Sequence, residues 1–117
     1  MDISKLSAKQ CKPCTSHTVK LDDEQARLYL NCLSNWEIKQ GRLRKEIKLA
    51  DFQQALALAN EIGPIAEAQN HHPDLNIGWG FLQITIYTHA IKGLSENDFI
   101  LAAKIDRLMA KETNNQP

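Results

Sequence analysis

The sequence has no surplus charge of either sign: 14 Lys plus Arg balance 14 Asp plus Glu over 117 residues. That absence removes the basic footprint of a nucleic-acid binder and the acidic tail that recruits a basic partner. It also lowers the barrier to self-association. No run approaches the roughly 20 apolar residues that a membrane helix needs. Met1 to Lys20 lacks the apolar core of a signal peptide, so the expected location is the cytoplasm. Cysteine is sparse and odd in number, and Cys11, Cys14 and Cys32 do not make a disulfide framework. There is no Gly-rich phosphate loop, dinucleotide fingerprint or nucleophile motif. There is also no internal repeat or low-complexity segment. With 43% hydrophobic and 24% charged residues, what remains is an ordinary soluble chain of single-domain length.

Residues 1–20 show no sustained periodicity and read as a flexible N-terminal arm. Residues 21–112 read as one domain and 113–117 as a polar tail. Asp22 with Gln25 has capping-box spacing, and Ala26, Leu30 and Leu33 follow at helical intervals, predicting a helix over about 23–33. Alternation at Trp36, Ile38 and Gln40, and again at Leu43, Lys45, Ile47 and Leu49, predicts a hairpin turning at Gln40-Gly41. Asp51 offers a cap for a second helix, which Pro64 should kink or end. Short strands are expected over 75–79 and 81–89. Ser95 opens a last helix carrying Leu101, Ile105, Leu108 and Met109. This order implies an α+β fold: a four-stranded antiparallel sheet with three helices packed on one face. Phe81 and Tyr87 on the opposite sheet face suggest a subunit contact.

Chemistry concentrates between residues 67 and 98. His71 and His72 fall in a loop, His89 at the end of a strand and Asp98 in the first turn of the last helix. Imidazole exchanges protons near neutrality, so such a set suits acid–base work. Each residue also has an ordinary alternative. A His-His pair in a loop is often simply solvated. Because His72 precedes Pro73, its backbone is pushed toward extended, and neighbouring side chains then point opposite ways. Asp98 stands at capping-box spacing from Ser95. Trp36 and Trp79 suit core or interface positions, and Glu67 a solvated helix face. Cys11-Lys12-Pro13-Cys14 has the spacing of half a zinc knuckle, which Cys32 or His17 would have to complete.

The ordered run Glu67-Ala68-Gln69-Asn70-His71-His72-Pro73, then Thr88-His89, then Gly93-Leu94-Ser95-Glu96-Asn97-Asp98, resembles the signature of the pterin-4a-carbinolamine dehydratases. Trp36 and the pair Trp79-Gly80 resemble the bacterial branch, and the likeness spans about residues 21–110. Ala68 and Phe81 depart from the lysines common in animal members. The resemblance implies a hydro-lyase that dehydrates pterin-4a-carbinolamine to quinonoid dihydropterin, with no cofactor and no metal. It implies His71 and His89 as proton donors or acceptors, and His72 holding the substrate. Asp98 would orient His89, Glu67, Pro73 and Thr88 would shape the pocket, and Trp36 would line or support it. It further implies a homodimer or homotetramer and recycling of the pterin of an aromatic amino acid hydroxylase, with phenylalanine hydroxylase as a partner. The alternatives are a non-catalytic interaction module of the same fold, or a metalloprotein using His71, His72, His89 and Asp98.

Overall fold

A computed structural model describes residues 3–114. The elements run α1 (Ile3–Ala8), α2 (Asp23–Leu30), β1 (Glu37–Lys39), β2 (Arg42–Lys48), α3 (Phe52–Gln69), β3 (Asp74–Gly78), β4 (Phe81–Ile86), a 3₁₀ turn (His89–Ile91) and α4 (Glu96–Asn114). The four strands form one antiparallel sheet in the order β1-β2-β4-β3. The expected α+β class therefore holds, and α2, α3 and α4 are the three expected helices.

Local chemistry sets most boundaries. The Asp22 side chain accepts from the Gln25 backbone N–H while the Gln25 side chain accepts from the Asp22 N–H, so the capping box closes as the spacing predicts. Asp51 caps α3 through Gln54. Gln40 and Gly41, both at positive φ, make the hairpin turn. Pro64 does not end α3, which runs unbroken to Gln69. Pro64 and Asn60 are both exposed, so the carbonyl that proline leaves unpaired faces solvent.

The alternation read in β2 and β4 becomes the inner face of the sheet. Leu43 lies opposite Ile86 and Ile47 opposite Leu82, all buried. Leu58 and Ile62 of α3 and Phe99, Leu101 and Ile105 of α4 close over them. One cation interrupts this row. Lys45, opposite Ile84, is buried, and its ammonium donates to Asp106 of α4 at 2.8 Å and to the Ser34 carbonyl at 2.8 Å. The indole of Trp36 donates to the same Asp106 oxygen at 2.8 Å. A paired and hydrogen-bonded buried charge is tolerated where an unpaired one is not.

The N-terminal arm departs from expectation. Its sequence, with no sustained periodicity, predicts a flexible segment. Residues 3–8 instead form α1, which packs on α4 and buries Leu6 completely. Six residues are too few for a period to be legible, so the helix depends on tertiary packing. Lys104 of α4 donates to the Ser7 carbonyl at 2.7 Å. At the other end, residues 113 and 114 of the expected polar tail continue α4, and residues 115–117 lie outside those described, as do Met1 and Asp2.

Two stability predictions follow from this packing. Leu6→Ala should cost about 2–5 kcal/mol in urea unfolding; a loosely held arm would show almost no change. Asp106→Ala strands the Lys45 ammonium in the core and should cost about 3–5 kcal/mol by the same measurement.

Candidate active site

The candidate residues sit where three chain segments meet: the end of α3, the end of β4 and the start of α4. Asn70 adopts the left-handed conformation at the C-terminus of α3, and the His71 N–H reaches back to the Ala66 carbonyl at 3.2 Å. This helix-ending turn fixes the exit direction of the chain. From there the two histidines diverge, as extended backbone before Pro73 dictates. His71 turns inward and is buried, while His72 faces solvent.

Asp98 lies at the centre, with no exposed surface. Its Oδ1 accepts from His71 Nε2 at 2.6 Å. Its Oδ2 accepts from the Thr88 hydroxyl and from the Ser95 N–H, each at 2.8 Å. The expected capping box is thus half made. Asp98 reaches back to the Ser95 N–H, but the Ser95 hydroxyl is taken by Thr88 at 2.8 Å. Thr88 in turn pairs with Gly93 through backbone bonds of 3.0 and 3.4 Å, closing the short loop that carries His89.

The family resemblance pairs Asp98 with His89; the structure gives it His71 instead. His89 does not end a strand. β4 stops at Ile86, and His89 begins the 3₁₀ turn, exposed, with its ring edge-on to Tyr87 at 4.9 Å between centroids. Arg42 lies over the same Tyr87 ring at 4.7 Å. His72 pairs with Glu67 at 2.7 Å on the exposed side, and Pro73 behind it is half-buried. The hydrogen bond of Trp36 goes to Asp106 and not into this network. The structure thus joins His71, Asp98, Thr88 and Ser95, sets His72 with Glu67 beside them, and holds His89 next to Thr88.

Two residues outside the candidate set, Cys14 and Asn97, join the network. Cys14 Sγ lies 3.6 Å from His71 Nδ1, and Asn97 donates to that sulfur at 3.3 Å. The signal for them in the sequence is the Cys-x-x-Cys spacing, which by itself suggests half a metal site. Among the described residues, no group of three or more His, Cys, Asp or Glu side chains is placed to hold a metal ion. A cavity of about 530 Å³ opens beside this region, between Arg27 of α2, Arg42, Tyr87 and Lys92. At the start of α4 the Tyr29 hydroxyl donates to Glu96 at 2.6 Å, and this bond leads in holding the Glu96 carboxyl below its ordinary range.

The chain can be set beside known proteins. A family model described as pterin 4 alpha carbinolamine dehydratase matches residues 19–108. A protein of Methylococcus capsulatus provisionally named pterin-4-alpha-carbinolamine dehydratase is 42% identical over 113 residues, covering 95% of this chain and 99% of that one. A relative of the same provisional name from Rickettsia canadensis is 47% identical over 103 residues, covering 86% of this chain and 94% of its own. Among solved structures, one titled a transcriptional coactivator/pterin dehydratase from Brucella melitensis superposes with a TM-score of 0.72. That likeness covers 77% of this chain and 98% of the other, at 23% identity, and speaks to the fold.

Removing the central carboxylate tests the arrangement. Asp98→Ala leaves three buried donors without an acceptor and should cost at least about 3 kcal/mol in urea unfolding. Thr88→Val removes a single donor and should cost roughly 1–2 kcal/mol. Equal costs for the two variants would contradict the three-way convergence on Asp98.

Proposed function

This chain belongs to the pterin-4a-carbinolamine dehydratase family, and from that footing we propose that it dehydrates pterin-4a-carbinolamine with His71, His72 and His89 as the working imidazoles. The observation that carries the reading is the two-sided grip of Asp98. One oxygen holds the His71 ring, and the other holds Thr88, the residue next to His89. The two imidazoles are thereby tied to one rigid centre from different segments of the chain.

Loss of water from the 4a position needs one proton delivered to the departing hydroxyl and one removed from N5 of the pterin. The product is a quinonoid dihydropterin. No electrons are exchanged, so the reaction calls for acids and bases only. Positioned groups of this kind typically contribute about a hundred- to ten-thousand-fold in rate. With its Nε2–H committed to the Asp98 carboxylate, His71 has Nδ1 left for proton exchange, the arrangement by which carboxylates select imidazole tautomers. His89, exposed on its closed loop, serves the opposite side of the pterin. His72, paired with Glu67, steadies the ring and shares the base role. Pro73 and Thr88 shape the pocket between them, and Trp36 supports it at a distance by fixing α4 through Asp106.

In this reading the enzyme clears the carbinolamine left by an aromatic amino acid hydroxylase, and its quinonoid product takes a separate two-electron reduction before the hydroxylase can use it again. The enzyme acts as a homodimer or homotetramer, and exposed Trp79 with half-buried Phe81 forms the apolar surface that a second copy would cover.

The test is dehydration of freshly generated carbinolamine, followed by absorbance. The unaltered protein should accelerate water loss. His71→Ala and His89→Ala should each lower kcat by about a hundredfold or more while KM changes little. Unchanged kcat in both variants would remove these residues from the mechanism. A chain that gives no acceleration at all would be an interaction module.

A further inference from the structure

The buried His71 ring is closed from outside by the N-terminal segment Cys11–Cys14. Its Nε2 faces Asp98 at 2.6 Å, and its Nδ1 faces Cys14 Sγ at 3.6 Å. Both ring nitrogens are therefore occupied, one by a carboxylate and one by a thiol. The segment that supplies the thiol is fastened on both sides. The Asn97 side chain accepts from the Lys12 N–H at 3.0 Å and donates to the Lys12 carbonyl at 2.7 Å. The Gln69 side chain accepts from the Cys11 N–H at 2.7 Å. Residues from α3 and α4, the same two helices that present His71 and Asp98, thus hold the strap over the ring.

The proton positions follow from donor and acceptor capacity. A carboxylate only accepts, so Nε2 carries the hydrogen, and a ring with that one hydrogen has its lone pair at Nδ1. The Asn97 amide N–H points at the sulfur, which accepts it at 3.3 Å. The thiol hydrogen is then left to point at Nδ1. A chain of donors runs from Asn97 through Cys14 and His71 to Asp98.

We propose that Cys14 is a positioning residue of the dehydration site: its thiol holds His71 in the Nδ1-unprotonated tautomer at rest and yields that nitrogen to the pterin. The strap 11–14 is then one wall of the site. This assignment rests on the reading of His71 as an acid–base group. It also gives the Cys-x-x-Cys segment a role that needs no metal, with Cys11 as the half-buried anchor and Cys14 as the exposed working thiol. Burial pushes the Cys11 thiol up to about 12, so it stays protonated and unreactive at neutral pH.

Two measurements test the assignment separately. Cys14→Ala should lower kcat roughly tenfold with KM little changed, and Cys14→Ser, which restores a donor, should recover most of the loss. Wild-type kcat in Cys14→Ala, or no recovery in a Cys14→Ser variant that unfolds at the wild-type urea midpoint, would overturn the role. The contact itself is read without turnover, by the rate at which iodoacetamide alkylates Cys14, followed by peptide mass spectrometry. His71→Ala should slow that rate severalfold, with Cys11 unmodified throughout. An unchanged rate would overturn the Cys14–His71 pairing while leaving the dehydration reading intact. A His71-dependent rate in a protein that dehydrates nothing would overturn the dehydration reading and with it the positioning role of Cys14.

Discussion

A carboxylate with no exposed surface is costly unless every lone pair it turns inward meets a donor. Asp98 meets three, and they come from the end of α3, the end of β4 and the residue before α4. The requirement to satisfy this one group fixes how those segments converge. It sets the inward turn of His71, the closing of the 88–93 loop through Thr88, and the first turn of α4. None of these local conformations is strongly preferred alone. Each becomes the favoured one because the others supply the remaining partners.

A second buried carboxylate does the corresponding work near the middle of α4. Asp106 takes the Lys45 ammonium and the Trp36 indole, so that the single cation in the inner face of the sheet is neutralised by the helix packed over it. The two aspartates pin the same helix at two places, one to the histidine region and one to the sheet. Among the described residues no buried side-chain nitrogen or oxygen lacks a hydrogen-bond partner. That completeness explains how a small domain carries several polar groups in its interior without losing a unique packing.

Much of the fold was legible beforehand because the signals are local. Capping at Asp22 and Asp51, the turn at Gln40-Gly41 and the period-two alternation of β2 and β4 all act within a few residues. The arm was not legible. The six residues of α1 cannot show a period, and Leu6 is buried only because α4 offers a surface for it. Pro64 was expected to break or bend α3, yet the helix persists because its orphaned carbonyl lies on the wet side. At the site, the candidate side chains were named from the ordered run of residues, but their pairing was not. Asp98 meets His71 and not His89, and nothing in the local pattern places Cys14 and Asn97 beside that ring.

By itself the sequence determined the segments of α2, α3, α4 and the sheet strands, which faces of β2 and β4 turn inward, and which imidazoles and helix-opening aspartate are candidates for the chemistry. Those features depend on dihedral preferences, caps and periodicity, all of which operate between near neighbours. Only the tertiary structure decided which imidazole receives the buried carboxylate, which one stays in solvent, and that a cysteine of the arm closes over the first. His71 and Asp98 are 27 positions apart, and Cys14 and His71 are 57 apart. Contacts over such separations leave no periodic trace in the chain. They are selected by the demand that buried polar groups be paired once the core has brought those segments together.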